Sequence, residues 1–77
     1  MEEFAIKFQD GHLEDGRNGL TVEEALMQCI QRLSVLNSKV PCPENCYSMT
    51  SIYRAILELE ERTRDREKRG VEGTDEV

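Results

Sequence analysis

The run Glu61-Arg62-Thr63-Arg64-Asp65-Arg66-Glu67-Lys68-Arg69-Gly70-Val71-Glu72-Gly73-Thr74 concentrates five cations in a chain whose net charge is −6. So local a basic cluster in an acidic protein raises the question of which anion it meets. If the segment is helical, steps of about 100° per residue place Arg62, Arg66 and Arg69 within roughly 60° of one another, a guanidinium stripe. Guanidinium groups recognise phosphate through planar, charge-assisted hydrogen bonds, and Gly70 and Gly73 let backbone N–H groups approach a ligand closely. The same residues also fit a solvated helix end. Glu58 with Arg62, Glu61 with Arg64 and Asp65 with Arg69 stand at helical ion-pair spacing, and such exposed pairs contribute only a few tenths of a kcal/mol.

The elements that must carry this stripe follow from the apolar pattern. Val22, Ala25, Leu26, Cys29, Ile30, Leu33 and Leu36 recur at steps of three and four, behind Thr21-Val22-Glu23-Glu24, which has the form of a capping box. A first helix is expected over 20–37. Pro41 and Pro43 break it, because proline lacks an N–H and restricts the residue before it. Pro43 suits the first position of a second helix, in which Met49, Ile52, Tyr53, Ile56, Leu59 and Thr63 repeat toward Arg69. Gly70 ends it as a C-terminal cap, so the second helix is expected over 43–69, with a terminal loop at 70–77. In the region 1–19, Phe4, Ile6 and Phe8 alternate as in a short strand. Asp10-Gly11, Asp15-Gly16 and Asn18-Gly19 are hairpin-type dipeptides that allow a second strand near 12–15. The fold class is mainly α: one domain over 1–77, an antiparallel helical hairpin with a short N-terminal β-strand or β-hairpin.

Seventy-seven residues bury only about 60% of their unfolded surface, so the chain is expected to assemble as a homo-oligomer. Its negative charge argues against bulk nucleic acid as a partner, while a small nucleotide remains compatible with one local basic cluster. No apolar run is long enough for a membrane span, and Met1-Glu2-Glu3-Phe4 lacks the basic flank of a signal peptide, which points to the cytoplasm. Cys29, Cys42 and Cys46 are then reduced thiols, read as small core hydrophobes. Cys42 and Cys46 with His12 make one ligand pair and scattered partners rather than a zinc site, and Asp10 to Gly16 fails the calcium-loop spacing. No metal and no other cofactor is expected. Ser48, Thr50 and Ser51 fall in a predicted helix away from the single histidine, His12, so no catalytic residue is assigned and the protein is read as a non-enzyme.

Taken in order, Asn18-Gly19, a capped first helix, the loop Cys42-x-Glu44-Asn45, and a helix ending Arg62-Thr63-x-x-Arg66-x-x-Arg69-Gly70-Val71-Glu72-Gly73-Thr74 resemble a phage family. It is the helical-hairpin sponge family shared by Thoeris anti-defence and anti-CBASS proteins. The resemblance covers residues 18–77 well and the N-terminal strand loosely. It implies a non-catalytic homo-oligomer, often a hexamer, that sequesters bacterial immune signals intact in the host cytoplasm. Those signals are cyclic ADP-ribose isomers or cyclic oligonucleotides. The ligand-binding residues it implies are Asn45, Arg62, Arg66, Arg69, Gly70, Gly73 and Thr74. Where relatives carry an aromatic near the hairpin loop this chain has Leu36 and Val40, so Phe8 or Tyr47 is left to substitute as a stacking residue, and a core role fits either of them equally. The rival reading is a non-catalytic oligomeric interaction module that docks on a phage or host protein.

Overall fold

A computed structural model describes residues 4–70 as two helices preceded by an irregular arm. Helix α1 spans Val22–Lys39 and helix α2 spans Pro43–Arg69. The capping box forms: the Thr21 hydroxyl accepts from the Glu24 N–H at 3.2 Å, and the Glu24 Oε1 accepts from the Thr21 N–H at 2.9 Å. Glu23 and Glu24 in the first turn and Lys39 in the last complement the helix dipole. Pro43 opens α2, and Gly70, at φ 73° and ψ 21°, closes it in the left-handed conformation that glycine adopts without a Cβ penalty.

The two helices pack along their length as an α hairpin. Leu26, Ile30 and Leu33 of α1 are half-buried there, as are Met49, Ile52 and Leu59 of α2, around Ile56, which is 3% exposed. The contact is thin. Among the described residues only Ala25 and Ile56 count as buried core, and the radius of gyration is 15.5 Å where a compact chain of this length would have about 11.5 Å. Two expectations are corrected by this. Cys29 and Cys46 are exposed rather than core residues, and Val22 and Leu36 keep 46% and 40% of their surface. One helix facing one helix covers only part of each apolar stripe.

The N-terminal expectation is corrected as well. Residues 4–8 form no strand, and the segment near 12–15 is a single 3-10 turn, Leu13–Asp15. What remains of a sheet is one parallel bridge between Phe8 and Leu20, in which Leu20 N–H donates to Lys7 O at 2.9 Å and Gln9 N–H to Leu20 O at 2.6 Å. Side chains close the intervening loop in place of a backbone ladder. Asn18 Oδ1 accepts from Asp10 N–H and Asn18 Nδ2 donates to Asp10 O, both at 2.7 Å. Gln9 Oε1 accepts from Asn18 N–H at 2.8 Å and from Gly19 N–H at 3.1 Å, while its Nε2 donates to Gly16 O at 3.0 Å. Amide side chains that mimic the peptide group divert these backbone donors from strand pairing. The alternation of Phe4, Ile6 and Phe8 leads to no buried face: they keep 91%, 55% and 50% of their surface.

Candidate functional site

Local ion pairs run along the end of the helix that carries the arginines. Arg64 Nη2 lies 2.6 Å from Glu61 Oε2, one turn back, and Arg69 Nε lies 3.1 Å from Asp65 Oδ2. The Arg64 guanidinium holds the Glu61 carboxyl below the ordinary carboxylate range, first through this hydrogen bond and then through its charge. Arg62 behaves differently. It reaches across to α1, where its Nη2 stands 3.9 Å from Glu23 Oε1. Arg66, between them on the stripe, is half-buried. Arg62, Arg66, Arg69 and Gly70 thus lie together over the last two turns of α2. Gly73 and Thr74 lie outside the described residues.

Beside this stripe the arm and the open end of the hairpin enclose a cleft of about 590 Å³. Phe8, His12 and Leu13 line it from the arm, Leu20, Val22 and Glu23 from the start of α1. The α2 wall includes Arg62, Thr63, Arg64, Glu60 and Glu67. The volume falls within the range of about 300–1,000 Å³ that accommodates small ligands. Its electrostatics are mixed, since three carboxylates oppose two guanidiniums. Glu23 is the unusual member: its Oε1 is shut off from solvent and has no hydrogen-bond partner among the described residues. A buried carboxylate oxygen in that state costs on the order of 1–3 kcal/mol, which the guanidinium at 3.9 Å offsets only in part.

The arm is fastened where it forms the cleft. Arg17 Nη1 donates to Glu24 Oε1 at 2.8 Å and to Gly19 O at 3.1 Å, tying the loop to the capping box. The Arg17 hydrogen bond, followed by the Thr21 backbone N–H, lowers the Glu24 pKa to about 2. His12 Nδ1 accepts from the Glu14 N–H at 3.0 Å, so the neutral ring carries its hydrogen on Nε2.

Asn45 is not brought to the stripe. It sits at the loop end of the hairpin, where its Nδ2 donates to Asn37 Oδ1 at 3.3 Å and the same oxygen accepts from Cys42 N–H at 3.1 Å. Seventeen helical residues at 1.5 Å each put it roughly 25 Å along α2 from Arg62. Within one chain its role is to join the loop to α1. Sequence reasoning passed over Glu23, named only within the capping-box run, and Gln9, for which no local signal exists. Both act through partners distant in the chain. Among the described residues no three His, Cys, Asp or Glu side chains gather as a metal site, and no helix is long and apolar enough to cross a membrane.

No family model matches the chain. A curated protein does: the chain is 41% identical over 73 residues to Thoeris anti-defense 1 of Bacillus phage SBSphiJ7. The match covers 92% of this chain and 51% of the relative, so the chain spans about half the length of the protein it resembles. The likeness to a Thoeris anti-defense protein thus runs over most of this chain.

Proposed function

We propose that this chain acts against bacterial defence by binding an immune signalling nucleotide, a cyclic ADP-ribose isomer or a cyclic oligonucleotide, and holding it without degrading it. The observation that carries the reading is the 41% identity to a Thoeris anti-defense protein, across a match spanning 92% of the chain. Physical chemistry supports the ligand class. Arg62, Arg66 and Arg69 present guanidinium groups along one helix flank beside a cleft of ligand size, and clustered phosphates are the anions such a flank suits.

A homo-oligomer belongs to the same proposal, with a hexamer as the arrangement the family resemblance implies. Tyr47 and Val40 keep 70% and 72% of their surface, and Tyr53 and Leu57 about half. A second copy covering them would stabilise the hairpin and bring Asn45 of one chain near the arginines of another. Action by sequestration requires only that sites outnumber signal in the host cytoplasm.

The test is calorimetry of the purified chain against cyclic ADP-ribose isomers and cyclic di- and trinucleotides, followed by digestion of the protein and chromatography of the released ligand. Intact ligand in proportion to sites is the expected result. Turnover beyond one equivalent per site sinks sequestration, and no binding across the panel leaves the protein-docking module as the better account.

A further inference from the structure

We propose that the cleft between the arm and the helix pair takes the neutral nucleobase of the ligand, an amino-bearing purine, while the arginine stripe outside takes its phosphates. This rests on the nucleotide reading above and divides the ligand between two chemically different surfaces.

The cleft is unsuited to phosphate. Glu23, Glu60 and Glu67 line it against Arg62 and Arg64, and the Arg64 guanidinium is already engaged by Glu61 at 2.6 Å. An anion placed there meets more carboxylate than free guanidinium. A planar, uncharged heterocycle meets what it needs. Phe8, Leu13, Leu20 and Val22 supply apolar wall, and half of the Phe8 surface is open. His12, whose Nδ1 is occupied by the Glu14 N–H, offers Nε2–H as a donor. The Glu23 carboxylate offers only acceptors, and its side chain keeps 26% of its surface. A base with an exocyclic amino group and ring nitrogens matches one acceptor and one donor among the lining residues.

Arg62 joins the two surfaces. It lines the cleft and also belongs to the stripe with Arg66 and Arg69, so a phosphate one ribose away from a base in the cleft falls on the stripe. Arg62 is held toward Glu23 at 3.9 Å, beyond hydrogen-bond distance, and therefore keeps donors for that phosphate.

The experiment uses the full chain and three probes followed by NMR titration: adenosine 5′-monophosphate, inosine 5′-monophosphate and ribose 5-phosphate. The adenine nucleotide is expected to bind about tenfold tighter than ribose 5-phosphate, the contribution of one stacked base. Phe8→Ala removes that advantage and leaves ribose 5-phosphate unchanged. Glu23→Gln, which gives the wall a donor, shifts preference from the amino purine toward the 6-oxo purine, a change that a merely structural role for Glu23 does not produce. Circular dichroism confirms that both variants keep their helices. The proposal is overturned if adenosine 5′-monophosphate binds no better than ribose 5-phosphate, or if the two variants discriminate among the probes as the parent chain does. If none of the three probes, nor any cyclic nucleotide, binds the parent chain, the nucleotide reading itself fails and this assignment goes with it.

Discussion

Glu23 of α1 and Arg62 of α2 stand 3.9 Å apart, with the carboxylate Oε1 buried and the Arg62 side chain 60% exposed. The separation permits attraction but no hydrogen bond, so Arg62 is oriented by Glu23 without being consumed by it. An ion pair this exposed on one side contributes only about 0–1 kcal/mol to stability. Its consequence is directional: it turns one arginine of the stripe toward the cleft.

If the stripe binds phosphate, Arg62→Ala and Arg66→Ala are each expected to weaken nucleotide binding by about 1.5–3 kcal/mol, the value of charge-assisted hydrogen bonds. Arg54→Ala, on an exposed face of α2 away from the stripe, is expected to change it far less. Calorimetry on the three variants separates a site from general charge, since equal losses at all three positions would indicate charge alone.

Gly19→Ala is expected to detach the arm. A Cβ there would lie 2.5 Å from the Phe8 carbonyl carbon and 2.6 Å from Lys7 O, backbone atoms that cannot turn aside. Overpacking of this kind costs about 1–3 kcal/mol. The helices should keep their circular dichroism while the amides of Gln9 and Leu20, which form the bridge, exchange with solvent faster. Unchanged exchange at both would show that the arm does not depend on this approach.

Acid is expected to loosen the same junction. Arg17 and the Thr21 N–H lower the Glu24 pKa from 4.5 to about 2. A carboxyl depressed on folding contributes stability above its unfolded pKa and loses it as pH falls toward the folded value, here between about 4.5 and about 2. Thermal melts across this window should show a decline that Arg17→Ala reduces. An identical decline in the variant would place the acid-sensitive group elsewhere.

The exposed apolar side chains lead to an expectation about mass. Sedimentation equilibrium at micromolar concentration should report species heavier than the 8.9 kDa chain, and Leu57→Glu, at a position 47% exposed, should shift the distribution toward the single chain. A parent chain that stays at 8.9 kDa throughout removes the oligomer from the account.

The helices were legible because their signals are local. Thr21 and Glu24 cap α1 across three residues, Pro43 starts α2 and Gly70 ends it, and each device acts within a turn of itself. The clustering of Arg62, Arg66 and Arg69 was legible for the same reason, since helical periodicity alone sets which residues share a flank. The alternation of Phe4, Ile6 and Phe8 misled, because a strand needs a partner and the loop that should return one is closed by the Asn18 and Gln9 side chains.

The amino-acid sequence by itself determined the two helices, the caps that start α1 and end α2, and the basic flank, because short-range hydrogen bonds and the 3.6-residue repeat need no distant partner. Helix α1 runs on to Lys39, two residues past its expected end. Tertiary structure alone decided that Phe8 lies beside Leu20, that His12 and Glu23 face a common cleft, and that Arg62 reaches Glu23 rather than staying on its own helix. It also left Cys29 and Leu36 uncovered. Those outcomes depend on how an arm and two helices pack in space, and packing brings together residues whose separation along the chain carries no periodic signal.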